Sequence, residues 1–315
     1  MARVVYIGTP EADAGTFERR VRADIPNLDL FATNERKLAL GHLQQCEVLI
    51  GHHFQFDDLM LAQAPHLKWI QSLTSGTDAI VKLPSLRPDV LLTSTRGIHG
   101  PQMSELVFLH MLALTRNFPR MVENQRESRW ERWVQPLLLG KVAVIVGVGA
   151  IAATLAPRCR AFGMKVYGVT ASPREVAGFD HMFDRTELTA AAALADYLII
   201  IGPYSADTDN LIDDRVVRAL RPNAYLINVA RGGVLDETAL MAALSEGRLA
   251  GAALDVFRET PLPSSSPLWR QKKLLITPLV GGMSDVYLDQ CYPLVRDNLR
   301  SFLAGRDDLM NPVQH

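Results

Sequence analysis

The sequence has 315 residues, of which 48% are hydrophobic and 21% charged, and its formal net charge is −1. This length suits about two domains, the apolar content excludes a disordered or collagen-like chain, and the charge balance argues against a nucleic-acid or anionic-membrane partner. The three cysteines are widely spaced and the N-terminus lacks the apolar stretch of a signal peptide, so we expect no disulfide framework, no metal site and a soluble cytoplasmic protein.

The first third of the chain alternates short apolar runs with helical stretches. The predicted strands are Val4–Ile7, Asp29–Ala32, Val48–Gly51, Trp69–Leu73 and Val90–Thr93. The predicted helices between them are Glu11–Arg22, Glu35–Leu43 and Phe56–Ala64. Strands that are apolar throughout and alternate with helices indicate a parallel sheet that is covered on both faces.

This alternation stops near residues 96–101, where a long helix is predicted over Gln102–Thr115, and then resumes. The second set of predicted strands is Val142–Val148, Val166–Val169, Tyr197–Ile201, Tyr225–Asn228, Ala250–Asp255 and Leu274–Thr277. A last predicted helix, Asp285–Leu303, has no strand after it and must pack on an element already formed. The predicted fold class is therefore α/β, with two doubly wound, Rossmann-like parallel-sheet domains.

A glycine-rich turn follows the first strand of the second set. Gly147 and Gly149 allow a tight turn and a close approach of the backbone to a pyrophosphate, which the N-terminus of the next helix binds through its N–H groups and dipole. Ala152 stands at the third glycine position of this fingerprint, where alanine is permitted. The pattern predicts a dinucleotide site, with chance or mere close packing as the alternative; the predicted contacts are Gly147, Gly149, Ala150 and Ile151.

The end of the next strand bears on the choice of cofactor. An acidic residue about 20 positions past the glycines usually binds the ribose 2′-hydroxyl. No carboxylate stands there in this sequence; Thr170, Ser172 and Arg174 do. Two hydroxyls and a guanidinium suit a 2′-phosphate, so we predict NADP in preference to NAD. The alternative interpretation is that Arg174 is a solvated loop charge.

Three longer segments carry a resemblance to a known family. They are Leu139–Gly149, Ala219–Glu237, and Gly251–Phe257 continuing to Pro261–Pro263. Together they resemble the D-isomer-specific 2-hydroxyacid dehydrogenases, above all the glyoxylate/hydroxypyruvate reductase branch. The resemblance implies a substrate domain of residues 1–98 plus 286–315, a dinucleotide-binding domain of residues 99–285, an active site in the cleft between them, and a homodimer.

The same resemblance implies roles for individual residues. The loop Ser72–Asp78, with Ser75 and Gly76, looks like the loop that binds the substrate carboxylate through its backbone, although an ordinary turn would read the same. Arg231 matches the arginine that holds the carboxylate and the carbonyl oxygen. Asp255 matches the residue that orients the nicotinamide carboxamide. Further cofactor contacts are expected from Pro203, Thr208, Val229 and Ala230.

Two positions depart from the family pattern. Leu279 stands where the family has its general-acid histidine, directly after Thr277 and Pro278. Thr260 stands where the family has the glutamate that raises the pKa of that histidine, and Glu259 lies one residue early. Because loss of a general acid typically costs about 10²–10⁴ in rate, we expect weak or non-standard turnover of ordinary 2-keto acids.

Other groups could supply the proton: His99 near the domain crossing, His52 and His53 at a strand end, Glu259, or water. For each side chain, a purely structural role is the alternative. The leading hypothesis is an NADP-preferring oxidoreductase that acts on a small 2-keto or 2-hydroxy acid and is anchored by Arg231. The alternatives are a nucleotide-binding homologue without turnover and an enzyme with different nicotinamide-dependent chemistry that needs no proton donor at Leu279.

Overall fold

The computed structural model describes residues 2–315, which form two compact units. One unit comprises the chain up to Ile98 together with Met283–His315, and the other comprises His99–Gly282. Each unit is built on one parallel sheet with helices on both faces. The prediction of two doubly wound parallel-sheet α/β domains is confirmed.

The strands and helices follow one another almost in strict alternation. The strands are β1 (Arg3–Ile7), β2 (Asp29–Thr33), β3 (Val48–Gly51), β4 (Trp69–Ser72), β5 (Leu91–Thr93), β6 (Val142–Val146), β7 (Lys165–Thr170), β8 (His181–Asp184), β9 (Tyr197–Ile200), β10 (Tyr225–Asn228), β11 (Gly251–Leu254) and β12 (Leu274–Ile276). The helices are α1 (Ala14–Asp24), α2 (Arg36–Leu40), α3 (Asp58–Ala62), α4 (Asp78–Val81), α5 (Gly100–Thr115), α6 (Phe118–Arg126), α7 (Ala150–Ala161), α8 (Leu188–Ala192), α9 (Asp214–Ala219), α10 (Glu237–Ser245) and α11 (Tyr287–Leu303). No helix of the described residues has both the length and the apolarity to cross a bilayer.

The core of the first unit lies on the two faces of its sheet. Successive side chains of a strand point to opposite faces, so in β1 Val4 and Tyr6 pack in one cluster with α1 and α11, whereas Val5 packs in the other with α2 and α3. The last helix, α11, contributes Val295 to the first of these clusters. This helix therefore covers one face of the first sheet, to which the N-terminal strand β1 belongs.

Each sheet has one point where the strand order reverses. The first sheet has the order β2-β1-β3-β4-β5, and the second has the order β12-β11-β10-β9-β6-β7-β8. The reversals lie between β1 and β3 and between β6 and β9. In open α/β sheets, ligands bind outside the carboxyl ends of the strands at such a reversal. The fold thus points to one such edge in each unit.

Most predicted strands match the structure to within one or two residues, but several elements differ. The helix predicted over Glu11–Arg22 begins only at Ala14, because the Asp13 side chain caps it there by accepting a hydrogen bond from Thr16 N–H. Strand β8 was not predicted, because it lies at the sheet edge with no buried residue and so lacks a continuous apolar run. Helix α6 was also missed. The helix predicted over Glu35–Leu43 ends early, at Leu40, because Gly41 follows as its C-cap, and a short 3₁₀ helix begins at Leu43.

Candidate active site

The glycine turn lies at the strand reversal of the second sheet. Gly147 has a φ of 99°, a backbone conformation that favours glycine. A Cβ at this position would lie 2.3 Å from the Cα of Gly202, which follows β9. The Gly202 N–H donates a hydrogen bond of 3.0 Å to the carbonyl oxygen of Val146. The loops after β6 and β9 therefore touch, and a side chain at residue 147 would separate them.

Helix α7 begins at this turn and fits a pyrophosphate. Its N-cap, Gly149, provides no side-chain cap, and a Cβ on Gly149 would meet no atom within 4 Å. The first amides of a helix lack intrahelical partners and lie at its positive dipole end, so those of Ala150 and Ile151 are suited to phosphate oxygens. Ala152 is fully buried against the core, as the third position of the fingerprint requires for close helix packing.

The predicted 2′-phosphate residues lie together after β7. Thr170 ends the strand, and Ser172 and Arg174 follow on an exposed loop, with the Ser172 N–H 3.5 Å from Thr170 Oγ1. Within residues 2–315, no carboxylate forms an ion pair with Arg174. The nearest strand end carries Asp184, which pairs with Thr170 in register.

Asp184 is not among the predicted site residues, because the edge strand β8 that ends at it has no continuous apolar run. The Asp184 carboxylate accepts hydrogen bonds from the N–H of Thr186 at 2.9 Å and from its hydroxyl at 2.7 Å. The backbone N–H of Thr186 is the largest cause that lowers the pKa of Asp184. This carboxylate is therefore engaged in starting a 3₁₀ helix, Arg185–Glu187, rather than in facing the loop of Arg174.

The loops after β9 and β10 bring the other predicted cofactor contacts to the same edge. The Thr208 hydroxyl accepts a hydrogen bond from Ser205 N–H at 2.7 Å and donates one to the Pro203 carbonyl oxygen at 3.1 Å. Val229 and Ala230 are both buried directly after β10. Short loops held by their own side chains give a rigid rim to this edge.

Arg231 lies next on this rim. Its backbone is extended, and its Nη1 donates a hydrogen bond of 2.8 Å to the Ala230 carbonyl oxygen. A Cβ on the following residue, Gly232, would lie 1.9 Å from the carbonyl carbon of Phe257. This contact packs the segment after β10 against the segment after β11, so Arg231 and the residues near Asp255 share one edge of the sheet.

Asp255 holds the loop that contains Leu279. The buried Asp255 Oδ1 accepts hydrogen bonds from the Thr277 hydroxyl at 2.6 Å and the Val280 N–H at 3.1 Å, and its Oδ2 accepts one from Gly281 N–H at 3.0 Å. Burial is the largest influence on this carboxyl and raises its pKa. Its predicted contact with the nicotinamide carboxamide stays a prediction, and the structure adds a loop-holding role.

Leu279 adopts a backbone conformation that is unusual for its side chain. Its φ is 56°, in the left-handed region that disfavours bulky residues. Its N–H donates a hydrogen bond of 3.0 Å to the carbonyl oxygen of Asp255, and its side chain is 46% exposed. Residue 279 is thus fixed at the edge of the sheet, and its isobutyl group has no proton to transfer.

His110 supports this loop from within α5, a role that sequence analysis missed. Its Nε2 lies 3.2 Å from Thr277 Oγ1. Because the Thr277 hydroxyl donates to Asp255, we assign the ring hydrogen to Nε2. Burial lowers the pKa of His110 to about 4, so the ring is neutral near pH 7. The two residues are 167 positions apart in the chain, and no local motif connects them.

Of the predicted proton donors, His99 belongs to this unit and lies near the same loop. It is buried at the N-cap of α5, and a Cβ on Gly282 would lie 3.7 Å from its Cδ2. Glu259 is exposed and forms no ion pair within the described chain. Thr260 donates a hydrogen bond of 3.2 Å to the Phe257 carbonyl oxygen.

In the first unit, the predicted carboxylate-binding loop follows β4. Its hydroxyl groups tie it together: Thr74 Oγ1 lies 2.8 Å from Ser72 Oγ and donates a hydrogen bond of 2.9 Å to the Gly76 carbonyl oxygen. Ser75 is exposed at its tip. The Nδ1 of His53 lies 3.1 Å from the same Thr74 hydroxyl. His53 and this loop are therefore neighbours.

His52, the other predicted donor at this strand end, is buried. Its Nε2 lies 3.5 Å from Glu11 Oε1, which is long for a charge-assisted hydrogen bond. Burial, together with the neighbouring His53, lowers the pKa of His52 to about 4. The ring is therefore neutral near pH 7 and is not a ready proton donor.

Comparisons with known proteins agree with this architecture. Residues 108–281 match the model of the D-isomer specific 2-hydroxyacid dehydrogenase, NAD binding domain. The chain is 32% identical to a glyoxylate reductase from Thermococcus litoralis, over 79% of this chain and 78% of that protein. A D-isomer specific 2-hydroxyacid dehydrogenase family protein from Aeromonas salmonicida has a similar structure, with a TM-score of 0.91, 33% identity, and 99% of each chain covered.

A further structure bears on the cofactor. The NADPH-dependent glyoxylate/hydroxypyruvate reductase from Sinorhizobium meliloti, solved in complex with NADP and sulfate, is similar with a TM-score of 0.83 and 25% identity. The match covers 99% of this chain and 98% of that one.

Proposed function

Because this chain belongs to the D-isomer specific 2-hydroxyacid dehydrogenase family and is thus a nicotinamide-dependent oxidoreductase, we propose that it reduces small 2-keto acids and prefers NADPH to NADH. The observation that carries the proposal is the carboxyl edge of the second sheet, where a glycine turn, an uncapped helix N-terminus and Arg231 occur together. Glyoxylate and hydroxypyruvate, for which the relatives are named, are the first substrates to test.

The two units have different roles in this proposal. The unit of His99–Gly282 binds the dinucleotide, and the other unit contributes the loop with Ser75 and Gly76 to hold the substrate carboxylate. The predicted functional domains, residues 99–285 and residues 1–98 plus 286–315, stay a prediction. A homodimer stays a prediction of the family resemblance.

The cofactor is held by backbone at one end and by side chains at the other. The N–H groups of Ala150 and Ile151, at the helix start that follows Gly147 and Gly149, would hold the pyrophosphate. Thr170, Ser172 and Arg174 bind the 2′-phosphate, and Arg174 is suited to it because no carboxylate of the described chain neutralises its guanidinium. The remaining contacts come from the loops of Pro203, Thr208, Val229, Ala230 and Asp255.

Arg231 positions the substrate and polarises it. A guanidinium presents paired donors in one plane, so it can bind a carboxylate oxygen and the neighbouring carbonyl oxygen together. Bound nicotinamide supplies the hydride that reduces the carbonyl carbon. Negative charge then develops on the carbonyl oxygen, and Arg231 stabilises that charge where it forms.

The new alkoxide also needs a proton, and this step sets the chain apart from its family. Leu279 has no proton to give, and Thr260 has no carboxylate to raise the pKa of a neighbour. His99, near the loop of Leu279, is the side chain we assign as donor, with water as the default. We expect turnover to be slow for this reason, since a well-placed general acid typically contributes about 10²–10⁴ in rate.

NADPH oxidation by the purified protein tests the proposal. Glyoxylate, hydroxypyruvate, pyruvate and aryl 2-keto acids are offered in turn, and binding of NADPH and NADH is followed in parallel by nicotinamide fluorescence. We expect measurable turnover and a lower Kd for NADPH. A lower Kd for NADH would overturn the cofactor preference, and a protein that binds neither nucleotide would overturn the function.

One observation favours a second candidate function, a nucleotide-binding homologue without dehydrogenase turnover. The backbone of Leu279, which the family resemblance puts in the place of the general acid, is held by a hydrogen bond to the Asp255 carbonyl oxygen. Tight NADPH binding with no oxidation of any 2-keto acid would favour this candidate, or nicotinamide chemistry that needs no proton donor. The variant His99→Gln distinguishes this candidate from the proposed reductase. If the wild type reduces a 2-keto acid slowly and His99→Gln loses that rate, the protein is a catalyst and not only a nucleotide-binding homologue.

A further inference from the structure

The carboxyl edge of the first sheet contains a group of buried polar atoms without partners. The strand reversal lies between β1 and β3, and Glu11 and His52 follow these two strands. Their side chains are only 10% and 5% exposed. Glu11 Oε2 and His52 Nδ1 have no hydrogen-bond partner, and neither does the buried hydroxyl of Thr9 at the same edge.

Glu11 also lacks a lysine or arginine partner. Within residues 2–315, no lysine or arginine forms an ion pair with this carboxylate. The neighbouring His52 is neutral near pH 7, because burial holds its pKa at about 4. A buried carboxylate that lacks both a counter-charge and hydrogen bonds is costly, so native proteins pair such groups with a cation or a donor. Here the nearest group of the chain is His52, whose Nε2 lies 3.5 Å from Oε1, and Oε2 has no partner.

This edge is continuous with the predicted carboxylate-binding loop of the same unit. The His52 and Tyr287 rings lie 5.6 Å apart, centroid to centroid, and the Tyr287 hydroxyl donates a hydrogen bond to the Leu73 carbonyl oxygen. On the other side of the strand end, His53 contacts Thr74 of the loop. Glu11 is therefore linked to this loop through His52 and Tyr287.

The strand spacing sets the length of a ligand that could contact both the loop after β4 and Glu11. Adjacent strands lie about 4.8 Å apart, and β1 is separated from β4 by β3 alone. The path from the loop after β4 to Glu11 after β1 is thus on the order of 10 Å. A short substrate such as glyoxylate cannot span this distance, but an extended side chain of four or five atoms beyond the carbonyl can.

We propose that Glu11, with His52 beside it and the Thr9 hydroxyl on the same loop, is a subsite for a positively charged substrate side chain. The ligand class is a 2-keto acid whose side chain ends in an ammonium or guanidinium group. The inference rests on the proposed function, because it takes the loop of Ser75 and Gly76 as the place of the substrate carboxylate. It gives this carboxylate the further hydrogen-bond donors and the cationic partner that it lacks.

The test compares two substrates that differ in charge and hardly in shape. The 2-keto acids of arginine and citrulline end in a guanidinium and a neutral urea, and glyoxylate lacks a side chain. We expect kcat/KM of the wild type to favour the arginine-derived acid by about tenfold or more, mainly through KM, because a desolvated charge pair of this kind is strong.

Glu11→Gln removes the charge and keeps the shape of the side chain. It should abolish the preference by lowering kcat/KM for the arginine-derived acid alone, with glyoxylate reduction unchanged. Glu35→Gln is the matched control, since Glu35 is an exposed carboxylate of the same unit without an ion pair, and it should keep the preference. The inference is overturned if the wild type does not prefer the arginine-derived acid to the citrulline-derived acid, or if Glu11→Gln keeps that preference. Turnover of glyoxylate in the same assays would leave the proposed function intact.

If no 2-keto acid is reduced, the proposed reductase function fails, but the subsite is still untested by kinetics. A binding measurement then tests the subsite by itself. Agmatine carries the guanidinium without a carboxylate, and tetramethylammonium chloride at equal ionic strength controls for salt. Agmatine should raise the Tm of the wild type and of Glu35→Gln, because a ligand that binds only the native state stabilises it. No rise in Tm would show that the buried atoms hold only water, and it would refute the subsite even if Glu11→Gln failed to fold.

Discussion

The two strand reversals differ in the charge of the ligand that each is proposed to bind. The edge of the second sheet presents backbone N–H groups at the start of α7 together with Arg231, and its buried carboxylate, Asp255, accepts three hydrogen bonds from its own loop. The edge of the first sheet buries a carboxylate, Glu11, that has an oxygen without a partner. The same topology therefore yields a candidate anion site in one unit and a candidate cation site in the other, and the two buried carboxylates differ in how far their oxygens are paired.

Arg231→Ala should cause the largest loss, because it removes the only charged side chain proposed to hold both the carboxylate and the carbonyl oxygen. We expect kcat/KM for glyoxylate to fall by about 10³-fold. Anion-dependent quenching of bound NADPH should disappear, whereas NADPH binding itself should persist. Arg218→Ala, at an exposed arginine that pairs with Asp214, serves as the control. Quenching retained in Arg231→Ala would remove this residue from the site.

Acid should destabilise both units in the same way, through one buried histidine in each. Burial lowers the pKa values of His52 and His110 to about 4, from 6.5. Between these values the unfolded chain binds more protons than the native state, so stability is full above pH 6.5 and falls as the pH drops towards 4. Each histidine should remove about 3 kcal/mol by pH 4.

Urea denaturation between pH 7 and pH 4 measures this loss. His52→Gln and His110→Gln should each flatten the pH dependence for their own unit. Replacement of the exposed His66 by glutamine should leave it unchanged. A steep dependence that survives in both buried-site variants would place the proton uptake elsewhere.

Two glycines of the anion site should respond differently to the same change. Gly147→Ala places a Cβ against the Gly202 backbone at a φ of 99°, so it should cost about 2 kcal/mol or more in unfolding free energy. Gly149→Ala meets no atom within 4 Å, so its Tm should match the wild type while its Kd for NADPH rises about tenfold or more, because the methyl group enters the space of the pyrophosphate. Equal losses of stability in both variants would contradict this view of the turn.

How far the sequence predicted the site depended on whether the signal was local. The strands and the turn of Gly147 and Gly149 were found because apolar runs and glycine spacing are properties of neighbouring residues. His110 was missed because its partner, Thr277, is distant in the chain, and β8 was missed because an edge strand has no continuous apolar run. Glu11 was placed inside a predicted helix, and only the packing of β1 beside β3 reveals that its carboxylate is buried next to His52.

Restoring the family's pair at the second edge is the smallest expected effect and the most specific. Leu279→His combined with Thr260→Glu should raise 2-keto acid reduction at least about tenfold, because it returns a general acid and the carboxylate that raises its pKa. The φ of 56° at residue 279 favours this exchange, since histidine tolerates the left-handed region better than leucine does. The double variant should therefore be no less stable than the wild type.

A bell-shaped pH profile of kcat/KM in the double variant would identify the new histidine as the donor, and Leu279→His alone should gain less, since its pKa is then not raised. Thr260→Glu alone should gain nothing. If the double variant folds and binds NADPH but shows no gain, Leu279 is not the reason for slow turnover. The cause of slow turnover would then lie at Arg231 or in the loops around it. In that case the edge of the second sheet would bind the cofactor without being an ordinary reductase site, whatever the edge of the first sheet binds.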